Sequence, residues 1–161
     1  MGLFNTAPKE LQELSDSWHH LTTDEYLKDG GKYRKRRHAS LEISTSDLHV
    51  VPQRAHWQPT TYNALHGGMH RWFDPITTDV LSSQFFKELL MWLAKLASRI
   101  DGEKLWYSEA HQFRIDTTNG IGRPTPEGAH RDGVDWVALC LIERKNVTGG
   151  DAGSWDISLL T

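Results

Sequence analysis

The hydrophobic positions of the chain follow a helical period in two places. Leu11, Leu14 and Trp18 recur at helical spacing behind Pro8, a residue suited to the first turn of a helix. A longer helical pattern runs from about Asp79 to Ile100 and ends before Gly102. Its apolar stripe consists of Leu81, Phe85, Leu89, Trp92, Leu93, Leu96 and Ile100. The pattern predicts two amphipathic helices that pack on a core.

Between and after these helices the period changes to two, which is typical of strands. Leu41 with Ile43 and Leu48 with Val50 mark two short strands, and residues 105–116 alternate over a longer stretch. One face of that longer strand carries Leu105, Tyr107, Glu109, His111, Phe113 and Ile115, and the other Trp106, Ser108, Ala110, Gln112, Arg114 and Asp116. A strand so polar on both faces is the kind that lines a cavity. The apolar run WVALCLIE, residues 136–143, predicts a buried strand.

The composition indicates one soluble domain with no cysteine pairing. The chain has 161 residues, a formal net charge of −3 and a single cysteine, Cys140, inside the apolar run. We therefore expect Cys140 to be a small buried hydrophobe that cannot form an intrachain disulfide. No segment has the length of a signal peptide core or a membrane span, so a cytoplasmic protein is expected, with no membrane partner.

Two local clusters suggest ligands but have simpler interpretations. The basic run KYRKRRH, residues 32–38, has no neighbouring basic cluster in a chain of negative net charge. It favours a solvated strand face and not a nucleic-acid site. His66 and His70 have the spacing of a helical metal pair, but Gly67 and Gly68 between them favour a turn.

The segment PTPEGAHRDGVDW, residues 124–136, holds the strongest candidate for chemistry. In an extended chain His130 and Asp132 project to the same side and present an imidazole and a carboxylate to one point. These are ligand types of the 2-His-1-carboxylate triad that holds iron(II). A kinase catalytic loop is excluded, because Val137 stands where that motif requires asparagine. The remaining alternative is that both side chains only form hydrogen bonds with backbone groups of a turn, and the H-x-D motif alone does not exclude it.

The wider sequence around this motif resembles a known family. The run PTPEGAHRDGVDWVALCLIERKNVTGG, with YNALHGGMHRWFDPI and HQFRID upstream, is similar to the bacterial iron(II)/2-oxoglutarate dioxygenases typified by L-isoleucine hydroxylases. The resemblance extends from about Tyr33 to Asp156, and the block P-T-P-E-G-x-H-R-D-G is far more specific than H-x-D.

This resemblance implies a fold, a reaction and a site. The fold would be α+β, a double-stranded β-helix (jelly roll) flanked by N-terminal helices. The reaction would hydroxylate a free aliphatic L-amino acid, or oxidise methionine sulfur, while 2-oxoglutarate becomes succinate and carbon dioxide. His130 and Asp132 match the first two iron ligands of the pattern and would be the catalytic, metal-binding residues.

The chain departs from the family after Asp132. The family pattern ends with a second histidine and an arginine that holds 2-oxoglutarate, yet no histidine follows His130, and the later arginines are Arg131 and Arg144. We expect residues 1–161 to be a single dioxygenase-like domain that is incomplete at its C-terminus and inactive by itself. A homo-oligomer in which a second chain supplies the missing sheet is one alternative. A non-catalytic binding or assembly protein derived from the fold is another.

Three further polar residues are candidates for contacts with small molecules. Gln112 on the alternating strand is a candidate for binding the co-substrate 2-oxoglutarate. Arg114 on the same strand and Arg123 in the glycine-rich loop are candidates for binding the amino-acid substrate, because a guanidinium can hold a carboxylate with two hydrogen bonds.

Overall fold

The computed structural model describes residues 8–63, 67–118, 120–123 and 132–148. Helix α1 (Pro8–Asp16) leads into a short 3-10 helix (Ser17–His20). Four strands and two more helices follow in these ranges: β1 (Thr22–Thr23), β2 (Arg34–Ile43), β3 (Leu48–Val50), α2 (Thr78–Ser82), α3 (Gln84–Asp101) and β4 (Trp106–Ile115). The fold is thus a mixture of helices and an antiparallel sheet. Within these ranges no helix is long and apolar enough to cross a membrane.

Strand β2 is the centre of the sheet. It pairs with β4 antiparallel along its whole length, from Arg34 opposite Ile115 to Ile43 opposite Trp106. Strands β1 and β3 pair with the two ends of β2, and the backbone of His38 bonds to Asp74 and Ile76 between them. Because β4 pairs with one edge of β2 along its whole length, strands β1 and β3 and the segment that contains Asp74 and Ile76 share the other edge. The strands predicted from period-two alternation at residues 41–50 and 105–116 are confirmed.

The helices cover one face of this sheet. Ala39, Leu41 and Ile43 of β2 point toward them and form two adjoining clusters. The buried partners from the helices and the connecting segment are Leu14, Ile76, Val80, Phe86 and Ala94. This is the apolar core, and it leaves the opposite face of β2 and β4 for polar residues.

The long helical pattern forms two helices instead of one. Ser83 has extended ψ at 129° and ends α2, and its Oγ accepts the backbone N–H of Phe86 to begin α3. The buried positions of α3 are Phe86, Ala94, Ala97 and Ser98, whereas Trp92, Leu96 and Ile100 of the predicted stripe are exposed. The predicted buried stripe was therefore partly wrong. The small alanines on the buried side let the helix lie close to the sheet. Gly102, with φ of 85°, follows α3 as predicted.

The apolar run at residues 136–143 does not form the predicted buried strand. It has no regular secondary structure, and Val137, Leu139 and Leu141 are exposed, as is Cys140. A strand is stable only where a neighbour completes its hydrogen bonds, and no strand in the described ranges pairs with this run. The prediction that Cys140 is buried was therefore wrong.

We expect Leu41→Ala to lower the free energy of unfolding by about 2–5 kcal/mol, because Leu41 is 1% exposed between the sheet and α3. Leu139→Ala is the matched control, since Leu139 is 82% exposed, and should change stability by less than about 0.5 kcal/mol. Urea denaturation followed by circular dichroism measures both. Equal losses in the two variants would contradict this placement of the core.

Candidate functional site

The face of the sheet that points away from the helices is lined by charged and ring-bearing residues. The β2–β4 register sets Arg36 opposite Phe113, His38 opposite His111 and Ser40 opposite Glu109. Alternation along each strand brings all six side chains to the same face. The sequence pattern had placed Glu109 and His111 on one face but gave no sign of their partners on β2.

Two arginines of β2 are buried around one carboxylate. Arg34 Nε donates a hydrogen bond of 2.8 Å to Oδ2 of Asp24, and Arg36 lies 3.7 Å from the same oxygen. The Arg36 guanidinium also lies between two aromatic rings, 3.7 Å from the centroid of Phe73 and 4.3 Å from that of Phe113. The prediction of a solvated basic face was wrong at these positions, because Asp24 and the two rings replace water around the charges.

Burial changes the acid–base properties of Arg36. Removal from water lowers its pKa to about 9, although the carboxylate of Asp24 opposes the shift. Arg36 remains a cation at neutral pH. It therefore keeps all its nitrogens as hydrogen-bond donors and can act on neighbours only as a donor.

Three histidines surround one glutamate beside Arg36, and we call His38, His56, Glu109 and His111 the histidine–glutamate cluster. His56 Nδ1 lies 2.5 Å and His111 Nε2 lies 3.2 Å from Oε2 of Glu109. His38 Nε2 lies 3.6 Å from Oε1, which is longer than a hydrogen bond. The rings of His38 and His111 stack with centroids 4.7 Å apart.

The charge state of this cluster follows from its contacts. Burial by itself would raise the pKa of Glu109, but its contacts with the surrounding imidazoles outweigh that effect and hold it well below the usual range. Burial lowers the pKa of His111 to about 3, against the opposing effect of Glu109 and with the help of the nearby Arg36 cation. Glu109 is thus an anion and His111 is neutral at physiological pH.

Arg36 also determines which nitrogen of His111 carries the proton. Its NH2 group lies 2.7 Å from Nδ1 of His111. A guanidinium only donates, so Nδ1 accepts and the proton of the neutral ring is on Nε2. That N–H then points to Glu109, and the three side chains form one directed chain of hydrogen bonds from Arg36 to Glu109.

Asp132, one of the two predicted metal ligands, joins a second polar network. Its Oδ1 accepts a hydrogen bond of 3.2 Å from Nε2 of Gln58. Gln58 Oε1 in turn accepts from Nδ2 of Asn63 at 3.0 Å and from NH2 of Arg71 at 2.9 Å. Since both of these neighbours donate, the Gln58 amide must turn its N–H group toward Asp132.

This second network is linked to the histidine–glutamate cluster. The backbones of Arg71 and His56 exchange hydrogen bonds of 2.9 and 3.0 Å, and the side chain of His56 contacts Glu109. Asp132 is therefore connected through Gln58 and Arg71 to the polar face of the sheet. The sequence singled out Asp132 but not the residues that orient it.

Gly133 allows the chain to approach closely after Asp132. Its φ is 70°, a conformation that side chains disfavour, and an added Cβ would lie 2.7 Å from Cδ2 of Tyr62. Glycine is thus required here by both conformation and space.

The other predicted site residues lie apart from this face. Gln112 is buried on the helix side of β4, where its Nε2 donates to Oγ of Ser17. Arg114 lies on the same side, with NH2 3.5 Å from Oδ2 of Asp116. Arg123 is exposed, and its charge acts on Asp29. His130 lies outside the described residues, as does His66 of the upstream histidine pair.

Metal-ligand geometry within the described residues occurs at one place. His38, Glu109 and His111 each offer one ligand atom, and these three atoms lie within 4.8 Å of one another. Two imidazoles and a carboxylate are the ligand types of the 2-His-1-carboxylate set that binds iron(II). The donor chemistry on this face therefore fits a divalent transition metal.

We expect Asp24→Asn to lower the free energy of unfolding by about 3–5 kcal/mol, because it leaves two buried guanidinium groups without their shared anion. Asp47→Asn is the control, since Asp47 pairs with His49 on the surface and should cost less than about 1 kcal/mol. Urea denaturation at neutral pH measures the difference. A loss at Asp24 no larger than that at Asp47 would show that the buried arginines do not depend on it.

We also expect His111 to be neutral, with its proton on Nε2, at pH 7. Nitrogen-15 chemical shifts of the imidazole, measured by NMR, distinguish this form from the Nδ1–H form and from the cation. Arg36→Gln should increase the share of the Nδ1–H form, because the glutamine carbonyl can accept that proton. A cationic or Nδ1–H ring in the unsubstituted protein would refute the hydrogen-bond chain.

Comparison with known proteins gives one family and two solved structures. A family model described as 2OG-Fe dioxygenase matches residues 15–156. A bsmA homolog from Methylobium petroleophilum PM1 is 49% identical, with a TM-score of 0.71 over 79% of this chain and 52% of that one. IDO from Bacillus thuringiensis is 17% identical, with a TM-score of 0.51 over 66% of this chain and 44% of that one, and shows similarity of fold alone.

No curated protein matches the chain. The chain spans about half the length of the two solved structures. Since the family model covers most of the sequence and includes both His130 and Asp132, the chain belongs to the 2OG-Fe dioxygenase family, whose cofactors are iron(II) and 2-oxoglutarate.

Proposed function

We propose that the protein is an iron(II)/2-oxoglutarate-dependent dioxygenase that hydroxylates a free L-amino acid, or oxidises its sulfur. In this proposal His130 and Asp132 are iron ligands. The observation that carries it is the orientation of Asp132, whose carboxylate is held by Gln58 and connected to the buried polar face of the sheet. The family match supports the reaction class, and the P-T-P-E-G-x-H-R-D-G block supports the amino-acid substrate.

The architecture is consistent with half of a jelly roll, which we propose for the complete fold. Helices cover one face of the β2–β4 sheet, and the polar face lies opposite them. A second sheet packed over that face would enclose the cluster and Asp132 in one interior. No strand in the described ranges pairs with the outer edge of β4, which leaves room for further strands there.

The described residues suit an iron site beside Asp132. A carboxylate that ligates a metal is commonly oriented by a hydrogen bond from a neighbouring residue, and Gln58 supplies that bond. Gln58 is itself fixed by Asn63 and Arg71, so the carboxylate is oriented before a metal binds. When bound, iron(II) and 2-oxoglutarate would allow molecular oxygen to act as the oxidant, with one oxygen atom entering the amino-acid substrate and the other entering the succinate formed as 2-oxoglutarate loses carbon dioxide.

The polar face of the sheet provides positive charge for the carboxylate of an amino-acid substrate. Arg36 and Arg71 supply positive charge nearby and attract carboxylates. Gln112 and Arg114 receive no role in this proposal, because they face the helices.

We expect His130→Ala and Asp132→Ala each to weaken iron(II) binding at least about tenfold, since each removes a ligand. Anaerobic titration with iron(II) and 2-oxoglutarate, followed by calorimetry, measures this without requiring turnover. Asp135→Ala is the matched control, because Asp135 lies three residues from Asp132 in a surface ion pair with Lys104. Equal iron binding by all of these variants would refute the assignment of the ligands.

We expect the 161-residue chain to show no amino-acid hydroxylation by itself, whereas a protein extended through the downstream coding sequence should be active. The family pattern requires a further histidine and arginine, and neither follows Asp132 in a matching position. Succinate release with iron(II), ascorbate and a panel of amino acids measures both proteins. Turnover by the 161-residue monomer would contradict this expectation. An extended protein that binds neither cofactor would favour the alternative of a non-catalytic assembly protein.

A further inference from the structure

His38 is buried without a hydrogen bond to its ring. It is 0% exposed, and neither Nδ1 nor Nε2 has a hydrogen-bond partner among the described residues. Removing a polar group from water without giving it a partner is destabilising, so such groups are rare in native proteins. The position therefore requires an explanation, and a bound ligand is one.

The His38 ring lies beside two side chains of metal-ligating types, Glu109 and His111. His38 Nε2 lies 3.6 Å from Oε1 of Glu109, and Nε2 of His111 lies 3.2 Å from Oε2 of the same carboxylate. We propose that His38, Glu109 and His111 form a zinc(II) site that is separate from the iron ligands His130 and Asp132. This inference does not depend on the dioxygenase reaction.

Both the ligand types and the access to the site favour zinc. Two histidines and one glutamate form a known zinc ligand set that leaves a fourth position open. Glu109 has a side chain that is 37% exposed, so an ion can enter from solvent on its side. Zinc–nitrogen bonds of about 2.0–2.1 Å in a tetrahedral shell place ligand atoms about 3.3 Å apart. The three ligand atoms, now within 4.8 Å, must therefore move together when the ion binds.

Arg36 opposes this site in the metal-free form. A metal on Nε2 of His111 requires the ring proton to be on Nδ1, but Nδ1 faces the donating NH2 group of Arg36 at 2.7 Å. Two donors would then point at each other, so the guanidinium must turn away when zinc binds. The rings of Phe73 and Phe113 hold it in place and make that movement costly.

Zinc titration in a protein without the proposed iron ligands tests the site. We expect the 161-residue chain with His130→Ala and Asp132→Ala to bind one zinc ion, measured by calorimetry and by metal analysis after gel filtration. Adding Glu109→Gln should weaken that binding at least about tenfold. Adding His49→Ala instead is the control, because His49 is an exposed histidine that contacts Asp47. Cobalt(II) absorption spectra of the same proteins report on the ligand geometry.

A fourth variant tests the opposition by Arg36. Arg36→Gln in the same background should bind zinc more tightly, by at least about tenfold, because its carbonyl can accept the Nδ1 proton. Arg34 remains to pair with Asp24, and circular dichroism verifies folding. Absence of zinc binding in the background protein would overturn the site, as would equal binding with and without Glu109→Gln. Zinc binding that Arg36→Gln leaves unchanged or weakens would overturn the role of Arg36.

Discussion

The antiparallel pairing of β2 with β4 is the constraint on which the rest of the structure depends. Ten residue pairs fix the register, and each strand sends alternate side chains to opposite faces. A slip of one residue would exchange the faces of the moving strand and separate His38 from His111. The apolar core, the buried arginines and the histidine–glutamate cluster therefore all follow from one alignment.

That alignment creates a protein with two unlike interiors. On the helix side, the burial of Leu41 and Ile43 stabilises the fold by removing apolar surface from water. On the other side, Arg34 and Arg36 are buried although charged, and their stability depends on Asp24 and on aromatic rings. Such a polar interior contributes little to folding, because desolvation offsets the attraction between charges. A polar interior of this kind is thus better suited to binding a charged ligand than to stabilising the fold.

The sequence predicted the elements well and their environments less well. Period-two alternation located β2, β3 and β4, and helical spacing located α1 and most of α3, because these signals lie within a few residues of chain. The burial of Arg36 depends on Asp24, Phe73 and Phe113, which are distant in sequence, so the local charge pattern suggested a solvated face. For the same reason the spacing of apolar residues predicted that this segment is helical but not which side of α3 faces the sheet. Asp132 was recognised through the family resemblance, whereas its partner Gln58 had no sequence signal.

The exposure of Cys140 makes it a natural reporter for the apolar run around it. It is the single sulfhydryl of the chain, and a maleimide dye would attach there and at no other cysteine. Any strand, second subunit or longer form of the protein that covers residues 136–143 would slow that reaction and change the emission of the attached dye. One covalent label can thus follow how this exposed segment acquires a neighbour.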